Sequence, residues 1–131
     1  MKNIIRAAIF ILVLTIAVGC AGRTKPIYNV ENQAIDFNLT MEQVEEAIIK
    51  AGAQKKWRMM VIKPGQIVGN ILVRSHKARI QIDYTEKFYA ITYLESNNLL
   101  YKDGKIHRNY NRWINNLDQT IQSNLFEASL N

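Results

Sequence analysis

Periodicity along the chain points to an α+β domain: an antiparallel sheet of three to five strands, arranged as a meander, with two helices packed on one face, the C-terminal one long. Three observations carry that reading. Residues from Trp57 to Glu95 alternate apolar and polar with a period of two, whereas Thr40 to Ala51 and Arg108 to Leu125 repeat at about 3.6. Two hairpins in the middle segment, paired separately, bury the same face. The 131 residues, 48% apolar and 21% charged with a formal net charge of +6, are enough for one domain with a core.

The elements follow in order. Met1 to Arg6 carries Lys2 and Arg6 and no acid, Ala7 to Val18 is apolar but for Thr15, and Gly19 and Cys20 come next. A basic start, an apolar run of roughly 7–15 residues and small residues at its end describe a secretory signal peptide. The run is shorter than the roughly 20 residues that span a bilayer as a helix. Ala17-Val18-Gly19-Cys20 resembles the lipobox of bacterial lipoproteins, with Ala17 where that family usually has Leu. The resemblance implies cleavage after residue 19 and acylation of Cys20. Ala21 beside it, rather than Asp, implies an outer-membrane lipoprotein facing the periplasm. Several acyl chains anchor stably where one does not, and an acylated sulfur is neither nucleophile nor metal ligand. Residues 1–19 are then the signal peptide, 20–29 the lipidated cysteine and a tether reaching at most about 30 Å, and 30–131 the domain. The mature chain keeps 112 residues (131 minus 19), and its charge falls to +4, since Lys2 and Arg6 leave and all eleven acids stay.

Val30 to Phe37 reads as a first strand. Thr40 and Gln43 have the spacing of a capping box, with Leu39 and Val44 as a hydrophobic staple. Val44, Ala47, Ile48 and Ala51 form one apolar stripe, and Gly52 reads as the stop. Glu42, Glu45 and Glu46 suit the positive end of the helix dipole better than an acid/base or metal cluster. Trp57 to Ile62 is an apolar strand of undecided register, followed by a Pro64-Gly65 turn. With Glu86-Lys87 as a loop, Tyr84 faces Tyr89, Ile82 faces Ile91 and Ile80 faces Tyr93, all on one face. With His76-Lys77 as the preceding loop, Val73 faces Ile80, Ile71 faces Ile82, and Gly69 lies under the ring of Tyr84. Ser96 to His107 is a connection with a turn at Asp103-Gly104 and room for a short strand. Tyr110, Trp113, Ile114, Leu117, Ile121 and Leu125 then form the stripe of the final helix.

Chemistry-bearing patterns are few. His76 and His107 have no ligand-spaced acid or cysteine beside them, so they read as surface histidines rather than a metal site. No nucleophile elbow, dinucleotide fingerprint or phosphate loop occurs, so neither an enzyme nor a cofactor is expected. Tyr84, Tyr89, Tyr93, Tyr101, Tyr110, Trp57 and Trp113 read as core and rim rather than a ligand pocket. The single cysteine excludes a multi-cysteine metal site or internal disulfides. Basic residues gather in three places: Arg74, His76, Lys77 and Arg79; Lys55, Lys56 and Arg58; and Lys102, Lys105, Arg108 and Arg112. A solvated basic surface is the plain explanation. For a secreted, membrane-tethered domain the available anions are lipid or cell-wall polymers, not nucleic acid. Arg74, Lys77 and Arg79 are therefore the candidate residues for anionic-surface binding.

The segments W-R-M at Trp57, P-G at Pro64, R-S-H-K-A from Arg74, Y-x-I-x-Y from Tyr89, S-N-N-L-L-Y from Ser96 and I-H-R-N-Y-N-R-W from Ile106 together resemble a group of small bacterial lipoproteins, a likeness that implies no activity. The order helix, meander, long helix also resembles the helix-grip lipoprotein domains of outer-membrane barrel assembly. L-T-M-E-Q-V from Leu39 resembles the smallest lipoprotein of that machinery, which has two helices before its sheet and no long final helix; shared capping chemistry explains that likeness. The expected function is a non-enzymatic envelope lipoprotein that binds or scaffolds another envelope component. The alternative is a small-ligand carrier with its pocket between the C-terminal helix and the sheet.

Overall fold

The computed structural model describes residues 22–131; residues 1–19, expected as a signal peptide, and Cys20 lie outside them. The elements are β1 (Thr24–Pro26), β2 (Val30–Ala34), α1 (Met41–Gln54), β3 (Trp57–Lys63), β4 (Gln66–Val73), β5 (His76–Tyr84), β6 (Phe88–Asn97), β7 (Lys105–His107) and α2 (Arg108–Ser129). A five-stranded antiparallel sheet has the order β2-β6-β5-β4-β3, and β1 and β7 form a second, two-stranded sheet. The α+β architecture and the long final helix are as the periodicity indicates. The two helices share one apolar cluster with the inner face of the larger sheet.

The segment expected as a tether up to residue 29 is a correction. Thr24, Lys25 and Pro26 pair with His107, Ile106 and Lys105, and the Ile27 amide donates to the Gly104 carbonyl at 2.9 Å. Asn111 closes the clasp, accepting from the Tyr28 amide and donating to the Pro26 carbonyl. Three residues are too few to show periodicity, so this docking left no pattern in the sequence.

Helix α1 begins as its sequence demands. The Gln43 amide donates to Thr40 Oγ1 at 3.1 Å, and the Thr40 amide donates to Gln43 Oε1 at 2.9 Å. Its end differs from expectation: Gly52 lies inside the helix, which runs on to Gln54. A Cβ at Gly52 would fall 2.3 Å from the Met59 side chain, so this glycine permits close packing on β3 rather than a stop. Lys56, at φ 68, takes the left-handed position after the helix.

The β5–β6 hairpin has the expected register, with Tyr84 on Tyr89, Ile82 on Ile91 and Ile80 on Tyr93. The β4–β5 register is a correction: Ile67 faces Ile82, Gly69 faces Ile80, Ile71 faces Ala78 and Val73 faces His76. The loop is therefore Arg74-Ser75, with Arg74 at φ 57. Left-handed backbone costs a non-glycine residue about 1–2 kcal/mol. Here the tip is held by Asn98, whose side-chain amide donates to Ser75 Oγ at 2.7 Å and whose carbonyl lies 2.6 Å from His76 Nδ1. Gly69 is covered not by Tyr84 but by Met59, whose Sδ would lie 2.9 Å from a Cβ at that position.

On α2 the fully buried line is Tyr110, Ile114, Leu117 and Ile121, and Trp113 sits partly buried at its rim. Apart from the polar ends of buried aromatic residues, the buried polar side chains among the described residues are Asp118 and Asn124. Asp118 accepts from the Tyr89 hydroxyl at 2.5 Å and from Gln122 at 3.1 Å. Asn124 donates to the Ala47 carbonyl and to Gln54 Oε1, tying α2 to α1.

Candidate functional site

The helices cover one face of the larger sheet and leave the other to solvent. On that outer face strand register lines up side chains from four strands: Arg58 pairs with Asn70, Asn70 with Arg79, and Arg79 with Glu95. The neighbouring row is Leu72, Lys77 and Asn97. Strands lie about 4.8 Å apart, so the backbones of Arg58 and Arg79 stand about 10 Å apart with Asn70 between them. A register shift in β6 between the partners of Arg79 and Ile80 leaves Leu94 unpaired and sets Glu95 opposite Arg79. Such a bulge bends its strand and sharpens local twist. These rows and Lys56 line a concavity of ≈ 660 Å³.

Four cations, Lys56, Arg58, Lys77 and Arg79, line this groove against one acid, Glu95, a local surplus of +3. The Arg79 to Glu95 separation is 3.7 Å with both side chains well exposed, a geometry worth little in water, so Arg79 is not neutralised. Guanidinium forks match planar carboxylate and phosphate oxygens, and Asn70 and Asn97 add amide donors. The arrangement is suited to holding an oxyanion over the sheet backbone at Ile71 and Ala78, beside the exposed apolar side chain of Leu72.

Of the residues singled out in the sequence, Lys77 and Arg79 line the groove. Arg74 is exposed at the hairpin tip and is not among the lining residues. Cys20 lies outside the described residues. Lys56 and Arg58, which the sequence places in a separate cluster, join Lys77 and Arg79 once β3 is registered on β4.

Register also sorts charge along the molecule. At the end holding the Arg74-Ser75 loop, the His107 amide bonds to Leu99 and the Arg108 amide to Arg23. Arg23, Arg108, Arg112 and His76 are near enough to weigh on His107. At the other end of β5, Met41 lies against Gly65, and Glu45 accepts a hydrogen bond from the Tyr84 hydroxyl. Asp83 and Glu86 fall at this far end, and Asp36 follows Ile35, whose amide bonds to the Lys87 carbonyl. The nine residues of β5 put about 30 Å between the basic and acidic ends.

His107 is the N-cap of α2, with Nδ1 accepting from the Asn109 amide at 3.1 Å. Burial, then Arg108, His76, Arg23 and Arg112, lower its pKa. Among the described residues no three His, Cys, Asp or Glu side chains converge for a metal. Glu45 of the N-terminal glutamates is engaged by Tyr84. Of the aromatic residues, Trp57, Tyr84, Tyr89 and Tyr110 are core, while Tyr101 is exposed and stacks on Tyr93 at 4.8 Å. No protein-family model matches the chain, and no similar curated protein or solved structure was found.

Proposed function

We propose that the chain is a membrane-anchored bacterial envelope lipoprotein, held at the outer membrane through acylated Cys20 and facing the periplasm, that acts without catalysis by binding an anionic component of the envelope in the groove on its outer sheet face. The observation that carries this reading is the row Arg58, Asn70 and Arg79 with Lys56 and Lys77 around it. The basic end agrees with it: β1 begins at Thr24, four residues after Cys20, so a lipid on that cysteine holds the Arg23 and Arg108 end toward anionic headgroups. Each cation near such a surface contributes about 1 kcal/mol. The space between α2 and the sheet, where a carried ligand would sit, is occupied by Ile80, Ile82, Ile91, Ile114 and Leu117, all fully buried. The groove is therefore the better place for a ligand.

The test is co-sedimentation of the domain from residue 22 onward with anionic vesicles and with purified cell wall at low and physiological salt. Binding should weaken steeply as the screening length shortens to about 8 Å. The triple reversal Arg58→Glu, Lys77→Glu and Arg79→Glu should abolish it, with little effect on folding, because all three are solvent-exposed. Absence of binding at low salt, or binding unaffected by the reversal, refutes the groove as the site.

A further inference from the structure

The larger sheet has two edges, β2 and β3, and they are built differently. An open edge presents unpaired backbone amides and carbonyls, and sheet proteins blunt such edges with short, bulged, polar strands. Strand β2 follows that rule: it is five residues long, its sequence is VENQA, its register shifts between Val30 and Gln33, and Asn32 stands at φ 44. Strand β3 does not. It is seven residues long, its pairing with β4 is regular from Trp57 to Val61 and shifts only at its end, between Val61 and Lys63, and it contains neither proline nor glycine. It exposes Met60, Val61 and Ile62 at 57%, 40% and 49%, three consecutive large apolar residues that span both faces. Among the described residues no strand lies on its outer side.

We propose that the β3 edge is a strand-addition site for an extended segment of another protein in which acidic and apolar residues alternate. Charge chooses this occupant. Lys55, Lys56, Arg58 and Lys63 are exposed along the strand and at its ends, and the segment from 55 to 63 holds no acid. A second copy pairing β3 on β3 would bring eight cations onto one seam with no counter-charge, whereas an acidic strand neutralises them. Its backbone completes the ladder, its acidic side chains fall on the outer face that carries Arg58, and its apolar side chains cover Val61 on the other. This site uses backbone at the sheet edge and is separate from the outer-face groove, although Lys56 and Arg58 border both.

The experiment uses the full-length chain in non-ionic detergent micelles and a labelled, end-blocked eight-residue peptide alternating glutamate and valine. Fluorescence anisotropy reads binding, and amide hydrogen exchange reads its location. The expected result is saturable binding, at least tenfold weaker for the same peptide N-methylated throughout, with new protection confined to β3. The double variant Lys55→Glu and Lys63→Glu, both outside the groove lining, brings the segment from +4 to zero and should abolish the preference for this peptide over a lysine–valine one. Equal binding of the N-methylated peptide, protection at β2 instead, or no binding overturns the proposal. Protection of β3 without peptide, together with a doubled protein mass, overturns the choice of occupant in favour of a second copy.

Discussion

Removing one oxygen atom tests how α2 is locked to the sheet. Tyr89 is 1% exposed on β6, Asp118 is 6% exposed on α2, and the Tyr89 hydroxyl donates to Asp118 Oδ1 at 2.5 Å. Tyr89→Phe keeps the ring and its packing but leaves the carboxylate with Gln122 as its remaining side-chain donor. A hydrogen bond to a charged group contributes about 1.5–3 kcal/mol, a large share of the roughly 5–15 kcal/mol that holds a domain of this size together. Asp118→Asn should cost less, because its amide oxygen still accepts from Tyr89 and Gln122 can turn its own oxygen toward the new amide. The same pair sets an alkaline limit. Burial first, and then Asp118, raise the Tyr89 pKa above its ordinary 10.0. The folded state thus holds the phenolic proton more tightly than the unfolded chain. That contribution is complete below pH 10 and is lost as pH climbs above it. Tyr84 and Tyr110, also raised by burial, act in the same direction, so Tyr89→Phe should make the alkaline decline shallower without abolishing it. Urea titrations of wild type and both variants from pH 7 to 11 measure both effects. A loss below about 0.5 kcal/mol at pH 7 with an unchanged alkaline slope would refute the reasoning.

Other perturbations separate the remaining elements. Leu117→Ala, at a fully buried position on α2, should cost about 2–5 kcal/mol, and Trp113→Ala at the partly buried rim should cost less; thermal denaturation that reverses this order would move the axis of the helix. Because the His107 pKa is lowered in the fold, its contribution is present above the ordinary 6.5 and is lost as pH falls below it. Protonation of Nδ1 would also forfeit the cap on Asn109, worth about 1 kcal/mol, and an acid limb that persists unchanged in His107→Asn would place the titration elsewhere. Tyr110→Phe deletes a buried hydroxyl that has no hydrogen-bond partner among the described residues and should leave stability unchanged or raise it, as read by calorimetry. Cys20→Ala should abolish incorporation of a labelled fatty acid; retained label would refute acylation at that cysteine.

Local chemistry was legible where one pattern had one physical meaning. Thr40 and Gln43 three residues apart, just before an apolar stripe, could satisfy each other only as a helix start, and they do. The β5–β6 register was readable because Glu86-Lys87 left a single loop that kept all the large side chains on one face. The β4–β5 register was not, because moving the loop by two residues slides the partners by four and so preserves the in-and-out alternation. Loop chemistry had to decide, and Arg74 at φ 57 breaks the usual preference for glycine or asparagine there. Gly52 misled for a related reason: a glycine near a helix end suggests a cap, yet here it makes room for Met59.

The candidate site was half legible for the same physical reason. Arg74, Lys77 and Arg79 are neighbours in sequence, so a cluster was visible, but alternation sends Lys77 and Arg79 to the outer face while the tip keeps Arg74. Lys56 and Arg58 lie some twenty residues upstream on a strand whose two faces are both apolar, which left no pattern to register it. Only the pairing of Arg58 with Asn70, and of Asn70 with Arg79, converts two modest clusters into one row. The bulge at Leu94 adds what alternation cannot encode: it advances β6 by one residue and substitutes a carboxylate for a leucine opposite Arg79. Glu95 thereby leaves the groove with one acid against four cations, so the local charge stays positive.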